Sequence, residues 1–251
     1  MRRVDQLVHS RTSVGRRSAL MPLEGYPASR LPTWPEAQVR VLASPALGAQ
    51  FAQYLIELPA GKRGAFAAES GLETFFYVLG GSGQFTDGTG KKLAVGPGQF
   101  GLAPPDTSTT FIAGDALRLL VLRKRYESAP GVEMFTAVYG NERDVKREVW
   151  GENPHSLLQT LIPDELGFDL AMNIFTFDPG FGLPIVETHV MEHGLFVLQG
   201  KGLYYLEDRW MEVEAEDFIW MGPYCPQSFY ATGPTPARYL YYKNVNRDVV
   251  I

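Results

Sequence analysis

The sequence has very little cysteine, with Cys225 alone among 251 residues. One thiol cannot close an intrachain disulfide, so the fold does not depend on an oxidising compartment. No apolar run approaches the roughly 18 residues that span a bilayer. The arginine-rich N terminus also lacks the apolar core of about 7 to 15 residues that a secretion signal contains. We therefore expect a cytoplasmic protein that does not bind membranes.

The sequence also lacks an excess of positive charge. It carries 23 Lys and Arg against 28 Asp and Glu, a formal net charge of −5. Nucleic-acid affinity rests mainly on clustered basic side chains that neutralise phosphates, so we expect no nucleic-acid partner. The composition, 45% hydrophobic and 20% charged, is that of a folded globular protein.

Glycine and proline, by contrast, are abundant. The 26 glycines and 18 prolines are spread between short runs rich in Val, Ile, Leu, Phe and Tyr. Many short strands joined by tight turns produce this pattern. The sequence therefore predicts an all-β fold.

Part of the sequence occurs twice. Residues 76–83 and 195–202 each combine an apolar run with Gly-x-Gly, and residues 98–105 and 216–223 follow them in the same order. A duplicated unit of this size indicates two tandem copies of one small antiparallel barrel.

The repeat sets the predicted domain organisation. Residues 1–45, which are proline-rich, are expected to form an arm without regular structure, and residues 126–165 a connector. The N-terminal barrel is predicted over residues 46–125 and the C-terminal barrel over residues 166–251.

The second copy contains a group of potential metal ligands. Glu187, His189 and His193 project to the same side if this stretch is an extended strand, because residues two apart share a face. Gln227 can join them from another strand. Carboxylate and imidazole donors without thiolate suit Mn, Fe, Zn or Ni.

The spacing of these four residues, with Gly200 six residues after the third, resembles the cupin metal motif. The order Glu187, His189, His193 and Gln227, together with residues 165–169 and 246–251, resembles the (S)-ureidoglycine aminohydrolase family. This resemblance implies a bicupin, that is, two barrels of the double-stranded β-helix or jelly-roll type. It also implies Mn²⁺-dependent hydrolysis of (S)-ureidoglycine to (S)-ureidoglycolate and ammonia, a step of purine and allantoin catabolism.

The first copy provides an internal comparison. Ala68, Ser70, Thr74 and Thr109 occupy the positions that match the four candidate ligands. A divalent metal needs several donors at once. We therefore expect a metal-free N-terminal barrel and one Mn²⁺ per chain, in the C-terminal barrel.

Alternation along the last strand places Tyr239, Tyr241 and Lys243 on one face. A lysine inside a barrel is costly unless it meets an anion, and the resemblance implies that Tyr239, Lys243 and Tyr204 contact substrate. Tyr241 is expected to be core.

Glu187 is the candidate general base and, with Gln227, also a candidate substrate contact. Glu192 is expected to be solvated. We further expect a homo-oligomer that acts on a small molecule.

Two other classes of function remain open. A cupin dioxygenase or decarboxylase would need a metal that handles O₂, and such enzymes more often have His-rich ligand sets. A non-catalytic ligand-binding cupin usually accompanies a DNA-binding helix pair, and the sequence contains no amphipathic helical pair with a basic face.

Overall fold

The structure is a computed structural model that describes residues 11–249. These residues form 22 strands, and the pairings between them are antiparallel. The all-β prediction is therefore confirmed. No helix of the described residues is long and apolar enough to cross a membrane.

The first thirteen strands are β1 (Ser13–Val14), β2 (Ser18–Met21), β3 (Ser29–Leu31), β4 (Trp34–Ala43), β5 (Phe51–Leu58), β6 (Arg63–Phe66), β7 (Leu72–Gly80), β8 (Gly83–Asp87), β9 (Lys92–Val95), β10 (Gln99–Ala103), β11 (Thr109–Ala113), β12 (Leu117–Arg125) and β13 (Val138–Asn141). The remaining nine are β14 (Glu148–Trp150), β15 (Asn153–Thr160), β16 (Leu170–Phe177), β17 (His193–Gln199), β18 (Lys201–Leu206), β19 (Arg209–Glu214), β20 (Phe218–Met221), β21 (Gln227–Ala231) and β22 (Ala237–Asn244). Single 3₁₀ turns span Leu23–Gly25, Pro45–Leu47 and Glu142–Asp144.

The chain divides into two compact units. The N-terminal unit contains residues 27–146 and 161–169, and the C-terminal unit contains the described residues of 1–26, 147–160 and 170–251. Each unit has one large sheet and one small sheet that enclose a hydrophobic core.

The N-terminal unit combines a seven-stranded sheet, in the order β13-β10-β7-β12-β5-β4-β3, with a four-stranded sheet, in the order β6-β11-β8-β9. Both sheets contribute to its core because apolar residues recur on the inner face of each strand. Five of the buried aromatic rings in this core are those of Trp34, Phe66, Phe76, Phe85 and Phe111.

The C-terminal unit combines an eight-stranded sheet, in the order β1-β2-β20-β17-β22-β16-β15-β14, with a three-stranded sheet, in the order β19-β18-β21. Strand β18 illustrates the sequence pattern that produces this architecture. Gly202, Tyr204 and Leu206 are buried, while Leu203 and Tyr205 between them are partly exposed. Such alternation is characteristic of a strand with one face on a core.

The predicted arm and connector differ from the structure. Strands β1 to β4 begin within residues 1–45, and β13 to β15 lie within residues 126–165. Strand β2 pairs with β20, and β13 pairs with β10. These partners are distant in sequence, so local composition did not reveal them. Pro35 and Pro154 are tolerated because each is the second residue of its strand and has no partner in the strand register.

The segments that precede the two barrels, within residues 1–45 and 126–165, are equivalent to one another. Strand β2, a 3₁₀ turn, β3 and β4 follow in the same order as β13, a 3₁₀ turn, β14 and β15. The duplicated unit therefore includes the segments that precede each barrel.

Aromatic packing fills the interior of the N-terminal unit. The Trp34 indole is fully buried, with ring centroids 5.3 Å from Phe66 and 5.9 Å from Phe111. A Cβ added at Gly64 would lie 2.0 Å from the indole, so glycine is required at that position.

We expect Trp34→Ala to lower the free energy of unfolding by about 3 to 5 kcal/mol, the cost of a large cavity in a packed core. The control is Trp210→Ala in the C-terminal unit, because Trp210 is 48% exposed. That change should cost less than about 1 kcal/mol. Urea unfolding of both variants measures the difference, and equal losses would contradict the packing role of Trp34.

Candidate active site

The C-terminal unit encloses a cavity of about 110 Å³ between its two sheets. This is the volume of roughly four water molecules, so the cavity suits a small ligand. Its walls combine aromatic and aliphatic side chains with a few polar groups. The lining residues are Trp150, Phe175, Leu183, Glu187, His189, His193, Leu195, Tyr204, Met221, Gln227, Tyr239, Tyr241 and Lys243.

All seven residues that the sequence singled out for metal or substrate binding line this cavity. Glu187 and Gln227 meet through an isolated antiparallel bridge, in which each backbone N–H donates to the other carbonyl at 2.9 Å. This bridge attaches the irregular segment before β17 to β21. It thereby holds both side chains at the cavity wall.

The expected extended strand from residue 187 to residue 193 is wrong. Only Glu187 is bridged, and regular pairing starts again at His193. Between them, the backbone N–H of Tyr224 donates to the His189 carbonyl at 2.7 Å, which takes this stretch out of a sheet ladder. The two imidazoles converge across a segment without regular strand pairing, so strand alternation does not account for their approach.

The two imidazoles point their Nε2 atoms at each other across 3.2 Å. His193 Nδ1 donates to the Tyr242 carbonyl at 2.9 Å, because a carbonyl can only accept, so its Nε2 carries a lone pair. Burial lowers the pKa of His193 to about 3. Burial also lowers the pKa of His189, against the opposing effect of the Glu187 charge. Both rings are therefore neutral at neutral pH.

A chain of hydrogen bonds connects the side-chain amide of Gln227 to two tyrosines. The Tyr204 hydroxyl donates to Gln227 Oε1 at 3.1 Å, and the Gln227 amide nitrogen lies 3.0 Å from His189 Nε2. Tyr239 in turn bonds the Tyr204 hydroxyl. Burial raises the pKa of both tyrosines, so both hydroxyls remain protonated.

The donors fit a divalent metal in part. Two nitrogen ligands that bind one metal at about 2.1 Å and at a right angle are about 3 Å apart, close to the separation of the two imidazole Nε2 atoms. Two facing lone pairs favour a cation between them. Among residues 11–249, however, no three His, Cys, Asp or Glu side chains cluster closely enough to hold a metal. The fit rests on His189, His193 and the amide of Gln227, while Glu187 lines the same cavity.

Comparison with known proteins identifies the family. A family model described as a cupin domain matches residues 173–242. The (S)-ureidoglycine aminohydrolase of Escherichia coli strain K12 is 35% identical over 239 residues, which cover 93% of this chain and 90% of that protein. The chain belongs to the (S)-ureidoglycine aminohydrolase family.

Two further comparisons agree with this family. The probable (S)-ureidoglycine aminohydrolase of Oryza sativa subsp. japonica is 33% identical and covers 96% of this chain and 77% of that protein. The crystal structure of the Escherichia coli protein Ylba superposes with a TM-score of 0.87 at 32% identity, over all of both chains. The cupin fold and the assignment of the chain as an enzyme of this family are confirmed.

Sequence reasoning did not predict the placement of three residues of the C-terminal unit. Tyr241, expected to be core, lines the cavity, as does Trp150 of β14. Alternation along β22 had placed Tyr241 on the correct face, whereas nothing local placed Trp150 there. Glu192, expected to be solvated, is 1% exposed and accepts a hydrogen bond from the indole nitrogen of Trp220 at 2.7 Å.

The depressed pKa of His193 gives a testable prediction for the metal-free protein. Nitrogen–proton NMR correlations of its ring should show a neutral imidazole with the proton on Nδ1 at about pH 5. Because the unfolded state takes up this proton near pH 6.5, stability should fall as the pH drops from 6.5 towards 3. The signal is assigned by its loss in His193→Asn. A doubly protonated ring at about pH 5 would contradict the burial argument.

Proposed function

We propose that this chain hydrolyses (S)-ureidoglycine to (S)-ureidoglycolate and ammonia with one Mn²⁺ per chain in the C-terminal unit. The observation that carries the proposal is the pair of neutral imidazole nitrogens 3.2 Å apart, in a small cavity that also contains Lys243, Glu187 and Gln227. Relatives named for this reaction match nearly the whole chain. They also favour hydrolysis over a dioxygenase, a decarboxylase or a ligand-binding cupin.

His189, His193, Gln227 and Glu187 would hold the metal. When bound, Mn²⁺ supplies a Lewis acid that neutralises charge on a polar substrate. A mixed nitrogen and oxygen set without thiolate suits this ion. In the structure, the Tyr204 hydroxyl donates to the Gln227 amide oxygen. To present this oxygen to the metal, the amide group would rotate by half a turn, and its nitrogen would then donate to the Tyr204 hydroxyl oxygen.

Lys243 is the proposed anchor for the substrate carboxylate. It lies on β22, directly opposite His193 in the sheet register. Its charge contributes to the lowered pKa of both His189 and His193 after the larger effect of burial, so the ammonium lies near both rings. An anionic ligand group would neutralise this charge and form an ion-paired hydrogen bond. Tyr239 and Tyr204 would hydrogen-bond the substrate's polar atoms.

Glu187 is the proposed general base. The water oxygen bonds to the carbon that carries the amine while the Glu187 carboxylate accepts the water's proton. The bond between this carbon and the amine nitrogen breaks as the new carbon–oxygen bond forms, and Glu187 passes the proton to the departing nitrogen, which leaves as ammonia. Glu187 is part of the bridge to Gln227, which fixes the backbone that carries it.

Cytoplasmic location and a homo-oligomeric state stay predictions from sequence. Both are independent of the reaction proposed for the cavity.

The direct test is ammonia release from freshly generated (S)-ureidoglycine by protein stripped of metal and then supplied with Mn²⁺. We expect activity only after Mn²⁺ is added, with one equivalent bound per chain. His189→Ala should lose metal and activity together, because it removes one of the two imidazoles. Two bound equivalents, or release that does not depend on Mn²⁺, would overturn the metal assignment.

Glu187→Gln separates ligation from base catalysis. The amide keeps an oxygen that can coordinate Mn²⁺ but cannot accept a proton from water at neutral pH. We expect much of the metal to remain and kcat to fall about 100-fold or more, a typical general-base contribution. Metal analysis and kcat are measured on the same sample. Near-normal turnover at full metal occupancy would show that another group accepts the proton.

A further inference from the structure

Tyr241 and Asn173 form a hydrogen-bonded pair at the wall of the cavity. They face one another in the register of β22 and β16, and Asn173 Nδ2 donates to the Tyr241 hydroxyl oxygen at 3.2 Å. Asn173 is buried, and its Oδ1 has no partner among the described residues. Because the hydroxyl oxygen of Tyr241 accepts from Asn173, its proton is available to another acceptor.

The other two tyrosines of the cavity differ in this respect. The Tyr204 proton goes to Gln227 Oε1, and the Tyr239 hydroxyl is bonded to Tyr204. Tyr241 lines the same cavity, and no described residue accepts its proton in the structure. Among the described tyrosines of the cavity, it is therefore the one whose hydroxyl proton is left for a ligand.

Packing holds the Tyr241 ring in place. The ring stacks on Phe175 at 5.6 Å between centroids with an interplanar angle of 9°, and meets the His193 ring edge-on at 5.6 Å. Lys243 follows two residues later on the same face of β22, roughly 7 Å along the strand. The wall thus presents a cation and a neutral donor a fixed distance apart.

We propose that Tyr241 is a further substrate-binding residue, whose hydroxyl donates a hydrogen bond to the carbonyl oxygen of the substrate's ureido group, and that Asn173 is its positioning residue. The proposal rests on the proposed function. A ligand with a carboxylate on Lys243 extends its neutral end along β22 towards Tyr241. Of the ureido atoms, the carbonyl oxygen is the strong hydrogen-bond acceptor.

The test is calorimetric binding of two small carboxylates to the Mn²⁺-loaded protein. N-carbamoylglycine contains the ureido carbonyl and the carboxylate, whereas isocaproate has the same heavy-atom connectivity with carbon in place of the ureido nitrogens and carbonyl oxygen. Tyr241→Phe should weaken the binding of N-carbamoylglycine about 3- to 10-fold, the effect of one neutral hydrogen bond, and leave the binding of isocaproate unchanged. Lys243→Met should weaken both. The matched control is Tyr205→Phe, since Tyr205 packs against the exposed Trp210 outside the cavity, and it should change neither.

Asn173→Asp tests the direction of the hydrogen bond. A carboxylate accepts a hydrogen bond from the Tyr241 hydroxyl instead of donating one to it. This variant should therefore weaken the binding of N-carbamoylglycine, as Tyr241→Phe does. In the Tyr241→Phe background it should no longer distinguish the two ligands, because Asn173 acts through the hydroxyl and only the added charge, which affects both carboxylates equally, then remains. A purely structural role would instead give additive losses and would affect isocaproate equally.

Activity provides the second measurement. Tyr241→Phe should lower kcat/KM on (S)-ureidoglycine about 3- to 10-fold, chiefly through KM, with one Mn²⁺ still bound. Unchanged binding and unchanged kcat/KM in an active protein would overturn only the role proposed for Tyr241, and not the proposed function. A wild-type protein that releases no ammonia from (S)-ureidoglycine would overturn the proposed function instead.

Discussion

The backbone bridge between Glu187 and Gln227 is the interaction on which the candidate site depends. It closes the irregular segment before β17 onto β21 with two hydrogen bonds of 2.9 Å. In the same segment, the backbone N–H of Tyr224 holds the His189 carbonyl at 2.7 Å. A second bridge, between Gly182 and Tyr230, joins the same segment to β21, and the packing of Leu183 and Met221 around the cavity contributes to its shape.

The two units show how one architecture can enclose a core filled by aromatic rings or a core that borders a binding cavity. In the N-terminal unit, Trp34 and its aromatic neighbours occupy the interior, and Gly64 makes room for the indole. In the C-terminal unit, the interior contains polar side chains and a cavity, and Trp150 only borders it. Stability and ligand binding therefore place opposite demands on the same inner face, because a cavity loses the dispersion contacts that a filled core gains.

Desolvation governs the chemistry of the cavity. Burial lowers the pKa of both histidines and raises the pKa of the tyrosines, so these groups are neutral and serve as lone-pair donors or hydrogen-bond donors. Lys243 contributes a positive charge to the cavity lining. A cavity built in this way favours an anionic ligand and a cation ligated by imidazole, because both would satisfy groups that are partly withdrawn from water.

The sequence by itself determined the all-β class, the duplication, the family and seven residues that line one cavity, because residue types, spacing and strand alternation are local properties. Only the tertiary structure decided where the segments before each barrel pair, since β2 and β20 are far apart in the chain. It also decided that Trp150 and Tyr241 border the cavity and that Glu192 is buried against Trp220. These outcomes depend on contacts between distant strands and on the turn at Tyr224, which no local pattern encodes.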